Sequence, residues 1–229
     1  FATEALVTYV FESGDKGNGT PVEGIIAELD KAAGGTLARL AASGELTGKA
    51  LEMTLVHFSP GLAAQRLLLV GAGKREKFGT AELRRLASAA LRHLKSRSVK
   101  RLAFLAREAE RGAVAAEAVT EGLLLGNFEG DTYKTDKKNG PLEAAALLGF
   151  DTASRAGMDR GRLIAESQNF TRALGNEPSN LLTPRLLAER AQAMAREAGL
   201  AVEILDEQRL AELKMGALLG VAGGSAEPP

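Results

Sequence analysis

The side chains best suited to acid–base, nucleophilic or metal chemistry are few in this sequence. It holds two histidines, His57 and His93, and no cysteine. Thiolate nucleophiles, zinc–thiolate clusters and disulfides are therefore excluded, and the lack of cysteine fits a reducing compartment. Neither histidine belongs to an HExxH or HxH pattern, so no histidine-based metal site is expected within the chain. His57 falls inside a predicted strand and reads as a half-buried packing residue. His93 lies beside the apolar stripe of a predicted helix and reads as exposed.

Gly71-Ala72-Gly73-Lys74 follows a buried-type strand and precedes a helix, a place where backbone amides could cradle a phosphate. A dinucleotide fingerprint needs glycine where Glu76 stands, and a P-loop needs Ser or Thr where Arg75 stands, so the turn reads as a plain strand exit. Between Lys74 and Arg107 eleven Lys and Arg meet only Glu76 and Glu82, whereas Glu108 to Asp131 is acidic apart from Arg111. Such a basic stretch could be a nucleic-acid footprint. With only Phe78 and Phe104 interleaved, it reads instead as a solvated helix face or a subunit contact that pairs with acidic neighbours. Asp131 and Asp136, with Lys134, Lys137 and Lys138 around Tyr133, match no calcium-loop spacing and read as an exposed loop. No nucleophile, base and orienter set emerges, so no catalytic, cofactor-binding or metal-binding residue is assigned.

Lysine plus arginine balance aspartate plus glutamate at 29 each, so the net charge of zero exerts no general pull toward nucleic acid, membrane or acidic substrate. No apolar run approaches the roughly 20 residues that span a bilayer, and the first residues lack a signal-peptide pattern. A cytoplasmic protein without a membrane partner is expected.

The elements that must position any site alternate in type. Strands are predicted at Ala5–Phe11, Leu51–Phe58, Arg66–Val70, Val99–Leu105 and Ala144–Phe150, with a turn at Ser13–Gly19. Pro21 opens a helix carrying Ile25, Ile26 and Leu29 that ends at Gly34-Gly35, and Leu37–Ala42 is a second short helical piece. Thr80 reads as the N-cap of a helix in which Leu83, Leu86, Ala87, Ala90, Leu91 and Leu94 recur at helical spacing, and Ala113–Leu125 is a further helix. Strands separated by amphipathic helices imply an α/β domain over residues 1–150, a mixed sheet flanked by helices.

A long helix from Met158, with Leu163, Ile164, Phe170 and Leu174, leads into Gly175–Asn180 and makes residues 151–180 a connector. A second α/β domain then begins at 181–229. Thr183 caps a helix with Pro184 at its first position, an apolar face of Leu187, Ala191, Met194 and Ala198, and Gly199 as terminator. A strand at Ala201–Leu205, a short helix at Glu207–Lys214 and a strand at Ala217–Ala222 follow. Roughly 50 residues arranged in this way are too few for a self-sufficient core, and buried-type parallel strands need cover on both faces. More polypeptide is therefore expected beyond Pro229.

From Asn169 onward the chain resembles the leucine aminopeptidase (cytosol aminopeptidase) family. The resemblance is carried by Asn169-Phe170-Thr171-Arg172, Asn176-Glu177-Pro178-Ser179-Asn180, Leu182-Thr183-Pro184, the block Lys214 to Val221 and Gly224-Ser225-Ala226-Glu227-Pro228-Pro229. Residues 1–150 resemble the family's N-terminal domain more loosely, and Ala222-Gly223 stands where the family usually has Gly-Gln. The resemblance implies a metalloexopeptidase that releases N-terminal amino acids from peptides with two divalent ions, zinc or manganese, assembled as a homohexamer. The family's metal ligands come from a Val-Gly-Lys-Gly…Phe-Asp block and an Asn-Thr-Asp-Ala-Glu-Gly-Arg block. Neither is present, and both are expected C-terminal to Pro229, so this chain alone is expected to be inactive. Two other readings stay open at this point: a freestanding assembly or regulatory module of the same descent, and a nucleotide- or nucleic-acid-binding α/β protein.

Overall fold

The computed structural model describes residues 3–13, 20, 22–57, 61–107, 110–136 and 140–227. The turn expected at Ser13–Gly19 lies outside them beyond Ser13, as do Pro21, Phe58, Glu108, Lys137, Lys138 and Pro228-Pro229. Phe1–Asn169 and Phe170–Pro229 form two compact units.

The first unit is built on a five-stranded sheet in the order β2 (Met53–His57), β3 (Arg66–Gly71), β1 (Ala5–Val10), β4 (Arg101–Leu105), β5 (Ala144–Leu148). β1 pairs in parallel with β3 and with β4, β4 in parallel with β5, and β2 runs antiparallel on the β3 edge. A strand sends successive side chains to opposite faces. Leu6, Val10, Leu67 and Leu69 therefore pack on α1 (Ile25–Ala32) and α2 (Thr36–Ser43). Val7, Tyr9, Leu68, Val70, Leu102 and Phe104 pack on α3 (Thr80–Lys95) and α4 (Ala113–Asn127). The mixed α/β sheet flanked by helices is the expected fold class.

The stripe from Leu83 to Leu94 on α3 is buried as its spacing predicts. Thr80 is the first helical residue rather than the cap. Gly79 holds that place, and its N–H donates to the Glu82 carboxylate at 3.0 Å. α4 buries residues on more than one side, Ala115, Ala118 and Val119 among them, because it has more than one neighbour. A Cβ on its Gly122 would lie 2.3 Å from the Arg84 carbonyl oxygen of α3, and one on Gly126 2.9 Å from that of Ser88. On another side α5 (Ser154–Gly175) presses Gly157 and Gly161 against Ala113 and Glu117, where added Cβ atoms would stand 1.9 and 2.5 Å from carbonyl oxygens. α5 begins four residues before the expected Met158. Asp151 ends the preceding loop by accepting the Ser154 N–H at 2.9 Å, while the Ser154 hydroxyl donates to the Arg111 carbonyl at 2.8 Å. Further along α5, Asn169 Nδ2 donates to the Leu124 carbonyl at 3.1 Å. α5 up to Asn169 is thus packed as part of the first unit.

The second unit holds the end of α5 with α6 (Pro184–Ala198), α7 (Glu207–Glu212) and α8 (Gly216–Ala222). Thr183, Pro184 and Gly199 bound α6 as their chemistry predicts, with Leu186 N–H donating to Thr183 Oγ1 at 3.4 Å and Gly199 at φ 68°. Two expected strands are corrected. Ala201–Leu205 carries no regular structure, and Ala217–Ala222 is the helix α8. A strand satisfies its backbone only against a neighbour, whereas a helix satisfies its own. Without a sheet in this unit among the described residues, an apolar run of six residues closes its hydrogen bonds locally.

The glycine contacts give a stability test. Gly122→Ala should destabilise the first unit by about 1–3 kcal/mol through forced separation of α3 and α4. Gly112→Ala, at a φ of −83° with only Asp151 nearby, should stay within about 0.5 kcal/mol. Urea unfolding of the two variants checks the difference.

Candidate functional site at the C-terminal edge of the sheet

Crossing from β1 to β3 on one face and from β3 to β4 on the other reverses the winding beside β1. The crevice outside the carboxyl ends of β1 and β4 is where open α/β sheets hold their ligands. Tyr9 and Phe11 reach that edge from β1, Arg75 and Phe78 follow β3, and Arg107 and Glu110 follow β4. Tyr9 stacks on Phe78 with ring centroids 5.2 Å apart, and Phe11 stands edge-on to both rings. The Arg75 guanidinium lies 4.5 Å from the Phe11 centroid and that of Arg107 5.4 Å from it. Arg107 also donates to the Tyr9 carbonyl at 3.1 Å.

Tyr9 is fully buried, so its hydroxyl needs a partner, and it donates to Glu110 Oε2 at 2.7 Å. Arg75 approaches Oε1 of the same carboxylate at 3.5 Å. Burial, and then the bond to Glu110, push the Tyr9 phenol well above its ordinary ionisation range. Beside this cluster opens a cavity of about 350 Å³ walled by Phe78, Thr80, Leu83, Glu110, Gly112 and Val114. It is of a size to take a small molecule, but among the described residues no nucleophile with an adjacent base lines it, and no reaction is assigned to it.

At Gly71 a Cβ would lie 1.8 Å from the Lys49 carbonyl oxygen, and Gly73 has φ 72°. Gly73 N–H donates to the Gly48 carbonyl and Ala72 N–H to that of Val10, each at 2.8 Å. These glycines let two chain segments approach and spend their amides on protein, so the turn is a strand exit. In the basic stretch, Arg75, Arg84 and Lys95 pair with Glu110, Glu121 and Glu129 of the acidic stretch at 3.5, 3.0 and 2.7 Å. At these three points the segregated charges meet, while Lys74, Lys77, Arg85, Arg92 and Arg97 face solvent. Lys95 is itself buried, with Nζ also donating to the Asn127 carbonyl at the end of α4.

Asp131, Lys134 and Asp136 lie on an exposed loop, where Lys134 N–H donates to the Asp131 carbonyl at 2.9 Å. The histidines depart from expectation. His57 is exposed at the end of the edge strand β2. His93 is half-buried, and its Nε2 has no hydrogen-bond partner among the described residues. Burial, with the nearby Arg97 charge, holds its pKa below the ordinary imidazole value. Among the described residues no three His, Cys, Asp or Glu converge to hold a metal ion. The Tyr9–Glu110–Arg75–Arg107 cluster was not legible from spacing, since its members come from three separate connections. The one signal was the rarity of aromatics, ten Phe and Tyr in all (8 Phe plus 2 Tyr), with two of them at the end of β1.

The profile of the cytosol aminopeptidase family, N-terminal domain, matches residues 7–137, and that of the same family's catalytic domain matches residues 169–229. The chain belongs to the cytosol aminopeptidase family. A probable cytosol aminopeptidase of Solibacter usitatus is 52% identical over 190 residues, covering 83% of this chain and 40% of that protein. The cytosol aminopeptidase of Pseudomonas aeruginosa is 38% identical over 93% of this chain and 45% of its own length. A mutant of tomato leucine aminopeptidase superposes over the whole chain with a TM-score of 0.83 and 26% identity, covering 47% of that structure. The bottromycin maturation enzyme BotP in complex with Mn shares the fold at a TM-score of 0.71 and 24% identity, over 99% of this chain and 44% of its own. The chain thus spans a little under half the length of the relatives it matches.

Tyr9 provides a pH test. In a Tyr133→Phe background the remaining phenol should give no phenolate absorbance about one unit above the ordinary value near 10, and should ionise only on unfolding. Because the folded phenol holds its proton more tightly than the unfolded one, its stabilisation is complete below about pH 10 and lost as pH rises above it. Tyr9→Phe should remove that loss and cost about 1–3 kcal/mol at neutral pH, since Glu110 loses its closest donor. Urea midpoints at neutral and alkaline pH measure both effects.

Proposed function

We propose that this chain is the N-terminal part of a leucyl aminopeptidase, a two-metal exopeptidase that releases N-terminal amino acids from peptides. The observation that carries the reading is the order of the two matches, an N-terminal domain profile and then a catalytic domain profile, in a chain that aligns end to end with a leucine aminopeptidase structure. In such enzymes a pair of divalent ions, zinc or manganese, polarises the scissile carbonyl and supplies hydroxide at neutral pH. The described residues contain no fitting ligand set, so no catalytic step is assigned to them. The ligands belong to the two blocks expected C-terminal to Pro229.

On this reading residues 1–150 form the N-terminal domain, 151–180 the connector and 181–229 the opening of the catalytic domain. The assembled enzyme is a cytoplasmic homohexamer acting on peptides. The pairing of Arg75, Arg84 and Lys95 with internal carboxylates supports a structural rather than nucleic-acid-binding use of the basic stretch. The isolated 229-residue chain should show no hydrolysis of leucine p-nitroanilide with manganese. Joined to the remaining polypeptide of the Solibacter usitatus relative, it should gain an activity that a chelator abolishes and manganese restores. Hydrolysis by the isolated chain would overturn the proposal.

A further inference from the structure

The cavity at the C-terminal edge of the sheet is walled by groups of opposite character, each only partly used by the protein. A carboxylate offers about four lone-pair positions. Among the described residues Glu110 takes the Tyr9 hydroxyl at 2.7 Å on one oxygen and Arg75 at 3.5 Å on the other, although its side chain is only 19% exposed. The second contact is long for a hydrogen bond. The bond from the buried Tyr9 hydroxyl holds the carboxylate at the cavity wall, with capacity for a further donor.

The first turn of α4 forms another part of that wall. Its N-cap, Gly112, has no side chain to offer, and no acceptor is found among the described residues for the N–H groups of Ala113, Val114 and Ala115. Free amides at a helix N-terminus favour an anion. The neighbouring carboxylates are engaged elsewhere, Glu82 with the Gly79 N–H at 3.0 Å and Asp151 with the Ser154 N–H at 2.9 Å. Phe78, Leu83 and Val114 supply an apolar surface, and Val114 is 65% exposed.

Charge and size select the ligand. A bare amine would pair with Glu110 but meet the guanidiniums of Arg75 and Arg107. A bare acid would suit the guanidiniums and the α4 amides but meet Glu110. A zwitterion satisfies both signs at once. Ligand pockets run to roughly 300–1,000 Å³, so the small volume here, about 350 Å³, suits a single residue rather than a peptide. We infer that this cavity binds a free α-amino acid with an apolar side chain. Its ammonium pairs with Glu110, its carboxylate takes the N-terminal amides of α4, and its side chain lies against Phe78, Leu83 and Val114. The binding depends on the first unit alone. Taken with the exopeptidase reading, the ligand is of the class that the enzyme releases, and the site senses product.

The test uses the 229-residue chain without peptidase activity, so its outcome is independent of the enzymatic reading. Calorimetry should show saturable binding of L-leucine with a Kd on the order of 1 mM, and the amide chemical shifts of Gly79, Val114 and Ala115 should move with it. Isopentylamine, which lacks the carboxylate, and 4-methylpentanoate, which lacks the ammonium, should each bind about tenfold or more weakly. Glu110→Gln keeps an acceptor for Tyr9 and should weaken leucine about tenfold or more. Val114→Asp, at an exposed position that leaves the core intact, should do the same by bringing a competing carboxylate to the amides. An absence of saturable binding, shifts confined to other residues, or both variants binding as the parent does would overturn the site. So would 4-methylpentanoate binding as tightly as leucine, which would mark a simple anion site. Hydrolysis of leucine p-nitroanilide by the chain joined to the rest of its relative decides the enzymatic reading separately.

Discussion

Every side chain of β1 from Ala5 to Val10 lies out of water, with β3 on one side of the strand and β4 on the other. A parallel strand buried on both faces has to be covered by helices above and below. That requirement places α1 and α2 on one face and α3 and α4 on the other. It also brings the end of β1 to the point where the winding reverses, so Tyr9 delivers a polar atom into an apolar edge. The Glu110 carboxylate, itself steadied by Arg75, is what makes that atom tolerable, and the cluster beside the cavity follows from the burial of one strand.

The second layer depends on the absence of side chains. α4 can lie against α3 and α5 because glycines at 122, 126, 157 and 161 let backbone meet backbone. The close approach brings Arg84 within reach of the nearly buried Glu121, and Lys95 within reach of the carbonyl end of α4. The charge segregation is thus part surface and part packing: Lys74, Lys77, Arg85, Arg92 and Arg97 stay exposed, as a solvated helix face would have them, while Arg84 and Lys95 meet Glu121 and Glu129. A buried carboxylate or ammonium without its partner would be costly, and the basic and acidic stretches stand at the distance along the chain that lets α3 and α4 satisfy each other.

Much of the first unit was legible because its signals are local. Six buried positions at helical spacing identify α3, a β-branched and aromatic run identifies β1, and a continuous apolar run identifies β3. The misreadings fall where a local signal needs a distant partner. Ala217–Ala222 has the composition of a buried strand, but composition cannot supply the neighbouring strand, and the segment closes as α8. Thr80 is a good capping residue displaced by one position because Glu82 reaches back to Gly79. The cluster at the sheet edge was invisible for a related reason. Tyr9, Arg75, Arg107 and Glu110 converge only once the strand order is known, and nothing in their spacing encodes it.

The stripe on α6 shows the same physics from the other side. Periodicity states which face of a helix ought to be covered. It is silent on whether the covering polypeptide is at hand. In the first unit the α3 stripe meets a sheet and is buried. In the second the stripe of Leu187 and Met194 meets none. Fully burying a Leu- or Met-sized side chain is worth about 1.5–3 kcal/mol, and among the described residues the second unit leaves eight Leu, Ile or Met side chains from Leu181 to Leu218 exposed. The correct reading of the pattern, with the wrong expectation of burial, is what separates a complete layer from one that awaits its other half.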